Sequence, residues 1–250
     1  MHWKSICLLV FLSAIEAAGQ VVNVEQARVN ADSIGWQTSL DVSYFRQQFD
    51  DDLTTLTGRF ATQRKTGRMY VLLLLDGGYS RSTAEVYTNY KMAHLRGSIK
   101  VNPAIRWEGF LQVQDNPPLG IALRQLVGTG PRIRILMHEK SRLYGGTTVM
   151  LENEWAVDGV VDAGVFRSSN YLNFNWSNEE KWGIASTVYF QPRLTDFSDY
   201  RISGQHSLVY SLSKRLQLKA EYTHYFDRKP PSIGLNRSRV TSLGLSYLFE

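Results

Sequence analysis

The sequence runs to 250 residues, with 28 Lys and Arg against 23 Asp and Glu for a formal charge of +5 at pH 7, and it holds one cysteine. The cations are scattered singly along alternating segments, so the charge reads as a solvated or lumenal surface and excludes a nucleic-acid footprint. The lone Cys7 excludes a disulfide framework and thiolate chemistry in an exported chain.

At the N-terminus Lys4 precedes an apolar run from Ile6 to Ile15, and the small residues Ala17, Ala18 and Gly19 follow. That is the layout of a cleavable secretory signal, and the run is shorter than the roughly 20 apolar residues of a spanning helix. Residues 1–19 are therefore expected to be a leader, with residues 20–250 as one mature domain. No Pro/Gly/Ser linker or charge block divides that domain.

Beyond the leader the polarity alternates with period two almost throughout, which predicts strands. They fall near 34–46, 53–64, 68–75, 86–101, 104–114, 121–136, 143–154, 164–176, 181–191, 200–212, 215–227 and 238–249. In the fifth, Ile105, Trp107, Leu111 and Val113 oppose Arg106, Glu108, Gln112 and Gln114. Most are long enough for the roughly 9–11 residues of a tilted membrane strand, whereas soluble strands average about 5–6. The connections sort by parity, tight at "KTG" and Asn102-Pro103 and longer at "DGGYSRSTAE", "WAVDGVVDAG", "PRLTDFSD" and "RKPPSIGLNR". Short turns on one side and longer loops on the other predict an all-β, transmembrane, antiparallel up-and-down barrel of about twelve strands, both termini periplasmic. Trp36, Tyr90, Trp107, Trp182, Phe190, Tyr222 and Phe226 sit toward strand ends, where aromatic rings suit a bilayer surface.

The chain closes on "VTSLGLSYLFE". Ser242, Gly244, Tyr247 and Phe249 are spaced in a pattern that resembles the C-terminal signal read by barrel-assembly machinery, with Glu250 after the aromatic that is usually last. The stretches "HLRGSIKVNPAIRWEGFLQVQDNPPLGIALRQLVGTGPRIRI", "YFQPRLTDFSDYRIS" and "YFDRKPPSIG" are similar to the domain-of-unknown-function (DUF) 481 family. The resemblance covers most of the mature chain and implies an outer-membrane β-barrel, including proteins described as salt-induced. It implies no established activity and no cofactor.

Strand parity points a set of charged side chains inward: Arg96, Lys100, Arg106, Glu108, Arg124, Arg132, Arg134, Glu152, Glu154, Arg167, Arg201, Lys219, Glu221 and Asp227, nine cations against five carboxylates. Gln112 shares that face, and Gly128 and Gly130 would make room along it. Two readings follow. The cation excess lines a narrow passage for small, anionic solutes, or the same arginines pair with the acids and close the lumen. A third candidate is a Ser186–His206 pair facing lipid, a nucleophile and base with no visible third member. The mature histidines show no metal spacing. The expectation is a non-enzymatic pore or permeability barrel, with outer-membrane lipids, the assembly machinery and small solutes as partners, and no nucleic acid or metal.

Overall fold

The computed structural model describes Val24 and residues 34–48, 52–82, 86–178, 181–230 and 234–249. The leader expected at 1–19 lies outside the described residues. Twelve antiparallel strands follow one another: β1 (Gly35–Gln48), β2 (Asp52–Lys65), β3 (Met69–Ser82), β4 (Val86–Lys100), β5 (Ile105–Asn116), β6 (Ile121–Met137), β7 (Ser141–Ala156), β8 (Val161–Ser177), β9 (Trp182–Arg193), β10 (Asp196–Ser211), β11 (Leu216–Asp227) and β12 (Arg237–Phe249). Each pairs with its sequence neighbours, and β1 pairs with β12 to close the barrel. Closure joins the two strands that would otherwise be the sheet's edges.

The period-two pattern sets the two faces of the wall. On β3 the outward Met69, Val71, Leu73 and Leu75 are exposed, while Tyr70, Leu72, Leu74 and Asp76 are buried. Outward aliphatic residues such as Leu95, Leu111, Val127, Val149 and Leu208 continue an exposed apolar belt around the barrel. A belt of this kind needs lipid to cover it, since water-facing apolar patches on soluble proteins rarely exceed a few hundred Å². The inner face is mostly polar, with an apolar island where Ala61, Tyr70, Leu72, Leu74 and Met92 cluster with Val24. Val24, at 4% exposure, therefore lies inside the barrel, although it precedes β1 in the chain.

Several segments that read as loops are strand. β3 runs on to Ser82, so most of "DGGYSRSTAE" pairs with β4, and β9 and β10 come within two residues of each other around Leu194 and Thr195. Among the described hairpins the long connection that survives is the one between Asp227 and Arg237. Glycine and serine marked these stretches as turns, yet Asp76, Gly78, Ser80 and Ser82 keep the inward alternation going. The contrast between the two ends is thus carried by strand overhang more than by loop length.

Four glycines are covered by rings directly opposite on the neighbouring strand: Gly78 by Tyr90, Gly128 by Phe110, Gly146 by Tyr171 and Gly204 by His224. An added Cβ would come within 2.3 Å of Tyr90 or His224 and 2.5 Å of Phe110. The ring fills the space the glycine leaves, which is how aromatic residues compensate for glycine in a sheet. Two expectations are corrected by this. Tyr90 points into the lumen, not to a bilayer surface, and Gly128 opens no space because Phe110 occupies it. Trp36, Trp107, Trp182, Phe190 and Tyr222 do face outward and are exposed.

The closing seam is the shortest ladder. It runs only from Thr38 opposite Phe249 to Val42 opposite Leu245, whereas β1 pairs with β2 over its whole length from Gly35 to Gln48. The rim holding Gly35 and Phe249 is called the near rim below; the opposite end, where β12 begins at Arg237, is the far rim.

Candidate functional site

The inner wall of β5 to β11 carries a dense set of ion pairs, several joining strands that are not neighbours. Such contacts can only pass through the lumen. Arg201 on β10 donates to Glu152 (2.7 Å) and Glu154 (3.2 Å) on β7 and to Asp227 on β11 (2.8 Å). Arg167 on β8 reaches Glu152 at 3.3 Å and clasps Asp199 on β10 with both terminal nitrogens, at 2.9 and 3.2 Å. Arg124 donates through Nε to Glu154 at 2.6 Å and lies 4.0 Å from Glu152. Glu152, 1% exposed, is the hub that all three guanidinium groups face. Tyr225 adds a hydroxyl donated to Asp227 at 3.0 Å.

A second set joins β5 to β8, where Glu108 receives Arg96 at 3.4 Å and the Tyr171 hydroxyl at 3.2 Å. Arg132 donates to that hydroxyl at 3.3 Å and stacks 4.1 Å over the Tyr144 ring. A third set sits behind the seam. Arg59 on β2 bonds Asp76 at 2.6 Å and reaches past β1 and β12 to Glu221 on β11 at 3.4 Å. Lys219 joins Glu221 at 2.8 Å.

Gln112 lies at the level of Glu152, both standing opposite Leu126 of β6, whereas Arg106 and Arg134 lie nearer an opening. Gln112 accepts from His94 Nδ1 (2.8 Å) and donates to Gln114 (2.6 Å). Arg106 donates to Ser98 Oγ at 3.0 Å and to the Arg68 carbonyl at 3.3 Å, while Arg134 turns back to Met137 Sδ at 3.0 Å. These two arginines belong to the near rim and not to the central network.

In the middle of the lumen the expected cations are paired with acids. Asp76 and Asp199 are buried partners that the sequence reading missed, because both fell in stretches taken for loops. In the central network Arg124, Arg167 and Arg201 face Glu152, Glu154, Asp199 and Asp227, three cations against four carboxylates. Beside them is a cavity of about 70 Å³ lined by Val24, Arg96, Phe110, Arg124, Glu152 and Arg201. That holds a few waters and is well below the roughly 300–1,000 Å³ of a small-molecule pocket.

On the outer face, Ser186 Oγ and His206 Nδ1 are 2.8 Å apart on the paired strands β9 and β10. The His206 ring stacks on His224 (centroids 5.4 Å) and on Tyr222 (6.0 Å). Among the described residues no carboxylate or amide bonds its other nitrogen, so the third member that would orient a catalytic base is lacking. Of the assembly-signal residues, Tyr247 is exposed and Gly244 faces the lumen beside Ser43. Ser242 stands opposite Glu221, and Phe249 ends β12 opposite Thr38.

A family model described as "Protein of unknown function, DUF481" matches residues 40–249. No curated protein matches the chain. Among solved structures, an outer-membrane channel from Pseudomonas putida F1 is similar, with a TM-score of 0.54 and 12% identity over 88% of this chain and 97% of that one. The translocator domain of the autotransporter NalP from Neisseria meningitidis gives 0.51 and 11%, over 88% and 90% of the two chains. The NanC porin gives 0.50 and 10%, over 84% and 98%. At such identities the likeness establishes the fold, that of outer-membrane β-barrels.

Proposed function

This chain belongs to the DUF481 family of proteins of unknown function, and from that premise we propose that it is an outer-membrane barrel whose lumen is held closed by its own charges. Periplasmic termini fit this placement, with the near rim toward the periplasm and the long β11–β12 connection outside. The observation that carries the reading is the bond from Arg201 on β10 to Glu152 on β7, which crosses the lumen beside a small cavity. Water and the smallest ions are the only solutes that cavity accommodates. A passage for small anionic solutes is the competing reading, and it needs cations that the carboxylates leave unpaired.

Planar-bilayer conductance of the refolded mature barrel separates the two. The closed reading expects a folded protein without discrete steps, and no change on Arg124→Glu or Arg132→Glu other than loss of stability. Steps that favour anions, reversed in selectivity by either substitution, would establish the pore instead.

The Ser186–His206 hydrogen bond favours one further reading, a lipid hydrolase. Fatty-acid release from mixed phospholipid micelles is expected to be at background and unchanged by Ser186→Ala. Release abolished by that substitution, with the barrel still folded, would make the pair catalytic.

A further inference from the structure

The outward face of β12 changes character along its length. From the far rim it presents Arg237, Arg239, Thr241, Leu243, Leu245 and Tyr247. Leu243 and Leu245 are 67% and 51% exposed and belong to the hydrocarbon belt. A lipid-facing arginine is much costlier at the bilayer midplane than near the interface. The two arginines therefore mark the level of the head groups.

These arginines also form one wall of a groove. His206, Tyr222, His224, Tyr225 and Phe226 complete it, with a volume of about 520 Å³. Arg237 lies 5.4 Å over the Phe226 ring, which holds its guanidinium along the wall. His224, opposite Arg239, is wedged against Gly204, and its buried Nδ1 has no hydrogen-bond partner. No carboxylate lines the groove, and among the described residues none comes within ion-pair distance of either arginine. One flank is open as well, since the β1 ladder stops at Leu245, below this level.

We propose that this groove is a binding site for the phosphate-bearing head group of an outer-leaflet lipid, with its acyl chains descending over Leu243 and Leu245. Guanidinium groups suit the role because they bind phosphate oxygens through paired, charge-assisted donors. The groove's rings give a flat apolar floor beneath that head group. Arg237 and Arg239 supply the charge. The proposal rests on the membrane placement above.

The test uses the full mature barrel in non-ionic detergent, titrated with bis-phosphorylated lipid A and read as lipid retained in native mass spectra. Retention is expected to weaken about tenfold or more, at least 1.4 kcal/mol, in the Arg237→Ala/Arg239→Ala double variant. Lys214→Ala/Arg215→Ala, which removes two exposed cations from the near-rim turn, is expected to leave it unchanged. Dephosphorylated lipid A should bind as poorly to the parent as the phosphorylated form does to the double variant. Equal retention by parent and double variant, or equal binding of the dephosphorylated lipid, would overturn the site. Displacement of the lipid by equimolar inorganic phosphate would also overturn it, in favour of a free-anion site. Flotation of the same preparation with liposomes reads membrane placement separately, so failure of the site and failure of the placement give different results.

Discussion

Glu152→Ala is expected to lower the unfolding free energy of the refolded barrel by about 3 kcal/mol, the lower end of the range for breaking a buried ion pair. The lower end applies because each arginine that Glu152 faces keeps another carboxylate: Arg124 has Glu154, Arg167 has Asp199, and Arg201 has Glu154 and Asp227. Arg201→Met removes a side chain bonded to three acids, yet its penalty should be smaller in acid. A stranded carboxylate can take up a proton, whereas a guanidinium that has lost one of its acids stays charged at any accessible pH. Urea titrations in lipid at pH 7 and pH 4 therefore separate the two variants. The Arg201→Met deficit should shrink on acidification and the Glu152→Ala deficit should persist. Equal pH dependence would mean that the network is hydrated enough to behave as a surface.

Gly130→Ala is expected to be the most damaging substitution among the wall glycines. A Cβ at Gly130 would stand 2.1 Å from the Thr147 carbonyl oxygen and 2.7 Å from the Thr148 Cα, both backbone atoms of β7. At Gly128 or Gly204 a ring can tilt away, but here a strand must move. Overpacking costs about 1–3 kcal/mol, and a backbone obstacle puts this change at the top of that range. Gly97→Ala, with nothing within 4 Å of the new atom, is the matched control and should be neutral. The heat-modifiable gel shift of each refolded variant measures the folded fraction. A Gly130→Ala barrel that folds as fully as the Gly97→Ala one would show that β7 can shift.

Alternation made the strands, their number and most inward residues legible, because period two is a local property of each segment. Arg96, Glu108, Arg124, Glu152 and Arg201 could be assigned to the inner face from their immediate neighbours. Their partners could not. Which arginine meets which acid across the lumen depends on the stagger and tilt of strands far apart in sequence, so the Arg201–Glu152 and Arg59–Glu221 pairs had no local signature. Leu72 and Leu74 hid the lumenal parity of β3, since "YVLLLL" is apolar on both faces. Val24 explains why the inner side of that strand is apolar. The Ser186–His206 pair was visible as a candidate, but its stacking on His224 required the register of β11.

The short ladder between β1 and β12 also gives the wall a weak direction. Above Val42 and Leu245 the first and last strands can part without breaking mutual backbone hydrogen bonds, so bending strain from the surrounding bilayer concentrates along that line. The Arg59–Glu221 pair, which ties β2 to β11 behind the gap, acts there as a hinge pin. The barrel can yield sideways toward lipid at its far end without disturbing the ion pairs between β7 and β10.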